Sequence, residues 1–405
     1  MAKEKVEKVS IGDLFKEKGI EIDDSKVQQP LTPRQILRPL VRGYYSIQKT
    51  KIRIGNQILA NIYRKFGLKA GQKKEKLDKV AEKVMKLLLG EYKRITKGVV
   101  MRAVEIATYL KDSQGVIDDD VMFTLIHTYK NLDRQQDFIQ AQIGYHLEDF
   151  PIWNEFLKPI PGVGISMAGV IISELDPHEA PHPSSFVKYA GMDVVWLAEE
   201  VDGEEIIWGE GRSRKAHHRI EKTYKDSAGN TIKTLGLTYN PLLKTKMFLL
   251  GTLFLQHKTP LYSDTYYDYK VRTQGRREWF IKGLSKGEVI YKKHPHDKEG
   301  LLSLTPEAIN LCQEWWEKNK KKATFEKTKT FIRTKICTDK QIHFMSLRSS
   351  VKLFLTNLWT SWRALEGLPV TGTYAEDVLH LTYKPDKNYP LTGIDEDLRD
   401  QPPAE

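Results

Sequence analysis

The sequence predicts a mainly α protein: a helical bundle or coiled-coil-like N-terminal half, a glycine hairpin between two helices, a small β-hairpin insert and C-terminal helices. Three observations predict it. Apolar residues recur three, four or seven apart through residues 31–157 and again after residue 341, the period of one helix face. Thr32-Pro33 and Asn240-Pro241 each set a capping side chain in front of a proline, which marks a helix start. Strand-like runs are confined to residues 194–239, where Asp202-Gly203 and Ala228-Gly229-Asn230 supply turns.

Residues 1–30 are polar and charge-mixed, a flexible segment. Residues 31–157 form the helical N-terminal region: Arg34 to Phe66 as one long helix or two, then Leu77–Tyr92, then Asp118–Leu157 interrupted at Pro151. In the last of these, Leu132, Ile139, Ile143, Leu147 and Phe150 share a face, which fits a bundle core or a seam between two copies in a homo-oligomer. Residues 158–272 hold the hairpin, two β-hairpins (Val194–Trp208 and Ile220–Tyr239) and an apolar helix capped by Asn240. Residues 273–340 read as a basic, irregular insert with a short helix near Pro306–Trp316. Residues 341–383 are a C-terminal helical segment with Leu347, Val351, Phe354, Leu355, Leu358, Trp359 and Trp362 on one face; residues 384–405 read as a disordered tail.

The net charge of +11 over 405 residues favours a polyanion, DNA first and RNA second, held through its phosphates. No apolar run approaches the roughly 18–20 residues that cross a bilayer. Met1–Ser10 has no apolar core, so no membrane partner is expected and a cytoplasmic location is. Two cysteines cannot build a disulfide framework. His294, His296, Cys312, Cys337 and His343 match no compact zinc spacing. No nucleotide-binding loop or metalloprotease motif occurs.

The most informative stretch is Ile160-Pro161-Gly162-Val163-Gly164 followed by Ile165–Leu175. Glycines allow a tight turn and a close backbone approach, and the amides opening the second helix favour an anion. Gly162, Val163, Gly164 and Ser166 are therefore candidate phosphate contacts in a helix-hairpin-helix module, with Ile160, Val163, Ala168 and Ile171 packing its helices. A plain glycine turn is the alternative. Arg212, Arg214, Lys215, His217, His218 and Arg219 form a second candidate contact or a solvated basic surface. Lys244 and Arg348 join the list, Arg348 with His343 near the start of the last helix. Tyr262, Tyr266, Tyr267 and Tyr269, with Lys270 and Arg272, fit either base stacking or a packed face. Trp315, Trp316, Trp359 and Trp362 read as core.

These elements, with Pro183–Met192, Gly211–Lys215, Tyr239–Lys244 and Ser346–Arg363, resemble in order the C-terminal half of insertion-sequence-110 family transposases, over about residues 150–370. The resemblance implies DNA transposition or recombination for a mobile element. The family pairs this region with an RNase-H-like domain whose four carboxylates hold Mg²⁺. Residues 1–150 show no strand ending on such an aspartate, and Asp118-Asp119-Asp120 reads as a helix cap and turn. No cofactor is expected unless Mg²⁺ arrives with a separately supplied carboxylate domain. The family's catalytic serine lies near a Ser-Gly pair absent here. The nearest counterpart is Ser213, between Arg212 and Arg214, as a nucleophile or as one more phosphate contact. Ser227 is a weaker counterpart. A non-catalytic DNA-binding accessory protein derived from a transposase is the alternative reading.

Overall fold

The computed structural model describes residues 32–65, 78–96, 106–193, 195–201, 204–211, 219–225, 231–288 and 306–370. The N-terminal segment, the acidic tail, Arg212–His218, Ser227, His294 and His296 lie outside the described residues. The chain is mainly α and falls into two compact units, residues 1–146 and 147–405.

The first unit contains α1 (Pro33–Lys65), α2 (Asp78–Thr96), α3 (Ile106–Asp112) and α4 (Asp120–Leu147). α1 opens on a reciprocal cap. The Gln35 amide donates to Thr32 Oγ1 at 3.3 Å, and the Thr32 amide donates to Gln35 Oε1 at 2.9 Å. α1 is one helix that runs on through Pro39, and Leu37, Val41 and Tyr44 around it share one buried face. Ile58, Ile62, Ala81, Leu88, Tyr92, Phe123 and Ile126 make this unit's core, and Tyr92 Oη meets His127 Nδ1 at 2.7 Å within it. The last N-terminal helix is shorter than expected. It ends at Leu147, and a separate helical segment starts at Pro151, whose missing N–H costs nothing at a first turn. That segment widens into a π-helical turn at Trp153–Leu157, closed by the Lys158 amide on the Trp153 carbonyl at 2.8 Å.

The second unit contains α5 (Ile165–Glu174), α6 (Pro183–Tyr189), two separate antiparallel hairpins, and α7 (Pro241–Gln256), α8 (Tyr262–Lys286), α9 (Pro306–Asn319), α10 (Phe325–Phe331) and α11 (Asp339–Leu365). β1 (Val195–Val201) pairs with β2 (Glu204–Gly211), Val195 opposite Gly211, with a bulge at Trp196/Leu197; β3 (Arg219–Lys225) pairs with β4 (Thr231–Leu237), Arg219 opposite Leu237. α11 is the central beam, packed against α6, α7 and α8. Trp359 and Trp362 are buried on it, and Trp359 Nε1 donates to the Ala180 carbonyl at 2.7 Å. Arg363 Nη1 donates to the Pro177 and Ala180 carbonyls at 2.6 and 3.1 Å, fastening the loop between α5 and α6.

The expectation of an irregular stretch over 273–340 is corrected. α8 runs straight through residue 272, and α9 and α10 follow. Phe280, Ile281, Leu284, Ala308, Cys312, Ile332 and Ile336 recur at helical intervals and form a second core, while the abundant lysines take the outer faces. Arg277 is 1% exposed and joins α8 to the start of α11, donating to the Cys337 carbonyl at 3.0 Å and to Asp339 Oδ1 at 2.7 Å. Cys312 and Cys337 are free and buried in this core; burial pushes the Cys312 thiol up to about 12, which leaves it unreactive.

Candidate nucleic-acid interface

The glycine hairpin forms as a tight turn. The Val163 amide donates to the Ile160 carbonyl at 3.0 Å, and Gly164 is the N-cap of α5, accepting from the Ala168 amide at 2.9 Å. Ile160, Val163, Ala168 and Ile171 are all buried. The two glycines differ. Gly162 has φ +93°, and a Cβ there would stand 3.2 Å from Leu253 Cβ and 3.4 Å from His257 Cδ2, so α7 occupies the space its missing side chain leaves. Thr259 Oγ1 donates to the Pro161 carbonyl at 2.8 Å and pins the same turn from below. The close approach expected for a phosphate at Gly162 is thus taken by the protein's own helix. Gly164 has open space beside it, and Ser166 lies half-exposed in the first turn of α5.

A second arrangement surrounds the corner where the β-hairpins leave the helices. Asn240 caps α7 by accepting from the Leu242 and Leu243 amides at 3.0 and 3.2 Å. Its Nδ2 donates to Glu174 Oε2 at 2.7 Å and its amide to the Tyr189 carbonyl at 2.9 Å. One residue therefore fixes the ends of α5, α6 and α7. Gly191, at φ +63°, brings the chain within 2.9 Å of Tyr239 Cγ and Lys244 Cδ as measured from the Cβ it lacks. Lys244 Nζ stands over the Tyr239 ring, 4.1 Å from its centroid.

Arg348, one face of α11, approaches the same lysine. Burial, then the positive charge of Arg348, holds the Lys244 ammonium below its usual range, against an opposing pull from Asp193. Arg348 Nε and Asp193 Oδ1 are both buried with no hydrogen-bond partner. Lys244 thus feels one cation and one carboxylate, neither of them hydrogen-bonded to it. An anion at this corner would relieve the repulsion between the two cations, with the Asp193 carboxylate opposing it.

The structure therefore brings Lys244 and Arg348 together and sets the glycine hairpin apart from them. Gly162 meets Leu253 and His257, further along α7 and roughly 13 and 20 Å from Lys244 by the rise of a helix. Arg219 opens β3 opposite Leu237. The register holds Gly211 opposite Val195 and Arg219 opposite Leu237, so the backbone of both returns to the corner formed by Asp193 and Tyr239. Arg212, Ser213, Arg214, Lys215 and His218 fall outside the described residues. Asp119 is a helix cap: its Oδ1 accepts from the Met122 amide at 2.6 Å, and its Oδ2 pairs with Lys65 at 2.9 Å. Lys65 also pairs with Asp118. Among the described residues no group of His, Cys, Asp or Glu is placed to hold a metal ion, and no helix is long and apolar enough to cross a membrane. Sequence reasoning missed Asp193, which carries no local signal. It also missed Phe344, which was visible as an aromatic ring between Lys340 and Arg348 on the polar side of α11.

Comparison of the chain with protein-family models, with curated proteins and with solved structures found no match.

Proposed function

We propose that the protein binds DNA through its phosphate backbone and acts in transposition or recombination of a mobile element. The observation that carries the DNA reading is the pair of cations Lys244 and Arg348, brought from different helices close enough that the arginine depresses the lysine. A phosphate there would offset the repulsion between the two cations, and the charge excess of the whole chain draws the same ligand. Gly164 and the first turn of α5 supply a further phosphate contact. The setting in transposition rests on the order of motifs across about residues 150–370 and their resemblance to insertion-sequence-110 family transposases. Strand transfer would place Ser213 as nucleophile, its oxygen bonding to phosphorus as one P–O bond to deoxyribose breaks and that strand end leaves as a hydroxyl, with Arg212 and Arg214 neutralising charge on the phosphodiester.

A second reading, a non-catalytic accessory protein of the same origin, is favoured by one observation. The carboxylate of Asp119 is engaged as a helix cap and lysine partner. Incubation with a nicked suicide substrate separates the two. A covalent protein–DNA adduct lost in Ser213→Ala supports strand transfer, whereas salt-sensitive DNA binding with no adduct supports the accessory role. Absence of any DNA affinity at low ionic strength would remove both.

A further inference from the structure

We propose that the face formed by α7, α8 and α11 is a track for an unpaired DNA strand, with Phe344 and Tyr267 as its stacking platforms. The inference rests on the DNA-binding reading and names the form of DNA that this side of the molecule takes.

Five rings follow one another across three helices. Phe248 of α7 meets Phe344 of α11 edge to face at 6.1 Å between centroids; Phe344 and His343 follow at 5.5 Å, His343 and Tyr266 of α8 at 5.6 Å, and Tyr266 and Tyr267 at 5.1 Å. Tyr266 Oη and His343 Nδ1, 2.7 Å apart, lock the middle of the row. Its members differ in exposure. Tyr266 is buried, while Phe344 is 42% and Tyr267 52% exposed. Phe344 and Tyr267 are thus the open rings of the row, each edge to face with a neighbouring ring. Half-exposed aromatic rings keep apolar surface in water that the flat face of a base would cover.

Cations border the row at Phe344 and at the buried Tyr266. Lys340 Nζ lies 5.9 Å from the Phe344 centroid, and Lys270 Nζ lies 5.6 Å from that of Tyr266. Along α11 the order is Lys340, Phe344, Arg348, each one turn from the next, so a ring stands between two positive charges on one helix face. Arg348 continues the row into the Lys244 cluster. The carboxylates closest in sequence to these rings are Asp264, Asp268 and Asp339. The first accepts from the Leu261 amide at 3.3 Å and the last from Arg277 at 2.7 Å. Rings flanked by cations suit a strand whose bases are free to stack and whose phosphates lie alongside. A duplex offers only the phosphates, since its base faces are already stacked on one another.

The test is fluorescence anisotropy with two probes, an oligothymidylate of about 16 nucleotides and a duplex of the same length. The full chain is compared with a Phe344→Leu, Tyr267→Leu double variant, which keeps apolar bulk against Phe248 and Tyr266, and with Phe344→Trp. The double variant should lose on the order of tenfold in affinity for oligothymidylate. Its affinity for the duplex should stay within about twofold, and Phe344→Trp should bind oligothymidylate at least as well as the parent. Unchanged oligothymidylate affinity in the double variant, or an equal loss on duplex, would overturn the track while leaving the phosphate site standing. If the parent chain binds neither probe, the DNA-binding reading fails first and the track with it.

Discussion

Lys244 and Arg348 carry like charges from different helices into the same half-buried corner, and the guanidinium is one of the causes that hold the lysine below its ordinary pKa. Burial is the larger cause, and Asp193 opposes both. A repulsive pair is retained at an energetic cost, and a bound anion would reverse that cost.

A pH dependence follows. A lysine depressed from 10.5 keeps its charge only below its lowered folded value, so the charge is lost earlier than usual as pH rises. Phosphate binding favours the charged form. Affinity for duplex DNA should therefore hold near neutrality and begin to fall at a pH below the ordinary lysine range. Arg348→Ala removes one depressing charge, so the fall should move to higher pH although affinity at neutrality is reduced. Anisotropy titrations across that range check it, and coincident pH profiles for the two proteins would contradict it.

The two hairpin glycines should respond oppositely. Gly162→Ala places a Cβ at positive φ against Leu253 and should cost about 1–3 kcal/mol in stability, with binding by the folded protein little changed. Gly164→Ala meets no neighbour and should cost about 1 kcal/mol or less, yet weaken DNA binding. Thermal melts paired with binding curves separate these effects.

Asn240→Ala should destabilise the protein by about 1–3 kcal/mol, since it removes the α7 cap and the donor that serves Glu174, whose residue is 6% exposed. Denaturant titration measures the loss, and a change under about 0.5 kcal/mol would show that the corner does not depend on this side chain.

Asp119→Ala should cost about 1 kcal/mol by uncapping α4, and Mg²⁺ should leave the melting temperature of the parent protein unchanged. Burial alone would raise this carboxyl, but the Met122 amide and Lys65 outweigh it and hold it below the usual 3.8. Its contribution is therefore complete above that value and is lost as pH falls through the lower folded one. The parent's advantage over the variant should shrink in acid.

Features set by neighbouring residues were legible in the sequence. Thr32-Pro33 and Asn240-Pro241 mark helix starts because capping is chemistry within one turn, and both caps form. The two β-hairpins follow from their turns in the same way. Within 273–340 the helix near Pro306 was legible, while the others were hidden because dense lysines obscure the spacing of Phe280, Leu284 and Ile336, which emerges only once their common core is known. A glycine at 162 could be read, but not that Leu253 fills the room it leaves. Lys244 and Arg348 were each visible as basic residues; their meeting is a tertiary fact.

The most direct measurement is the salt dependence of duplex affinity for the parent chain and a Lys244→Ala, Arg348→Ala double variant. The account predicts that log K falls linearly with log salt in the parent, and that the variant binds more weakly with a slope shallower by about 2, one for each cation removed. Equal slopes and equal affinities in a variant that melts like the parent would contradict it.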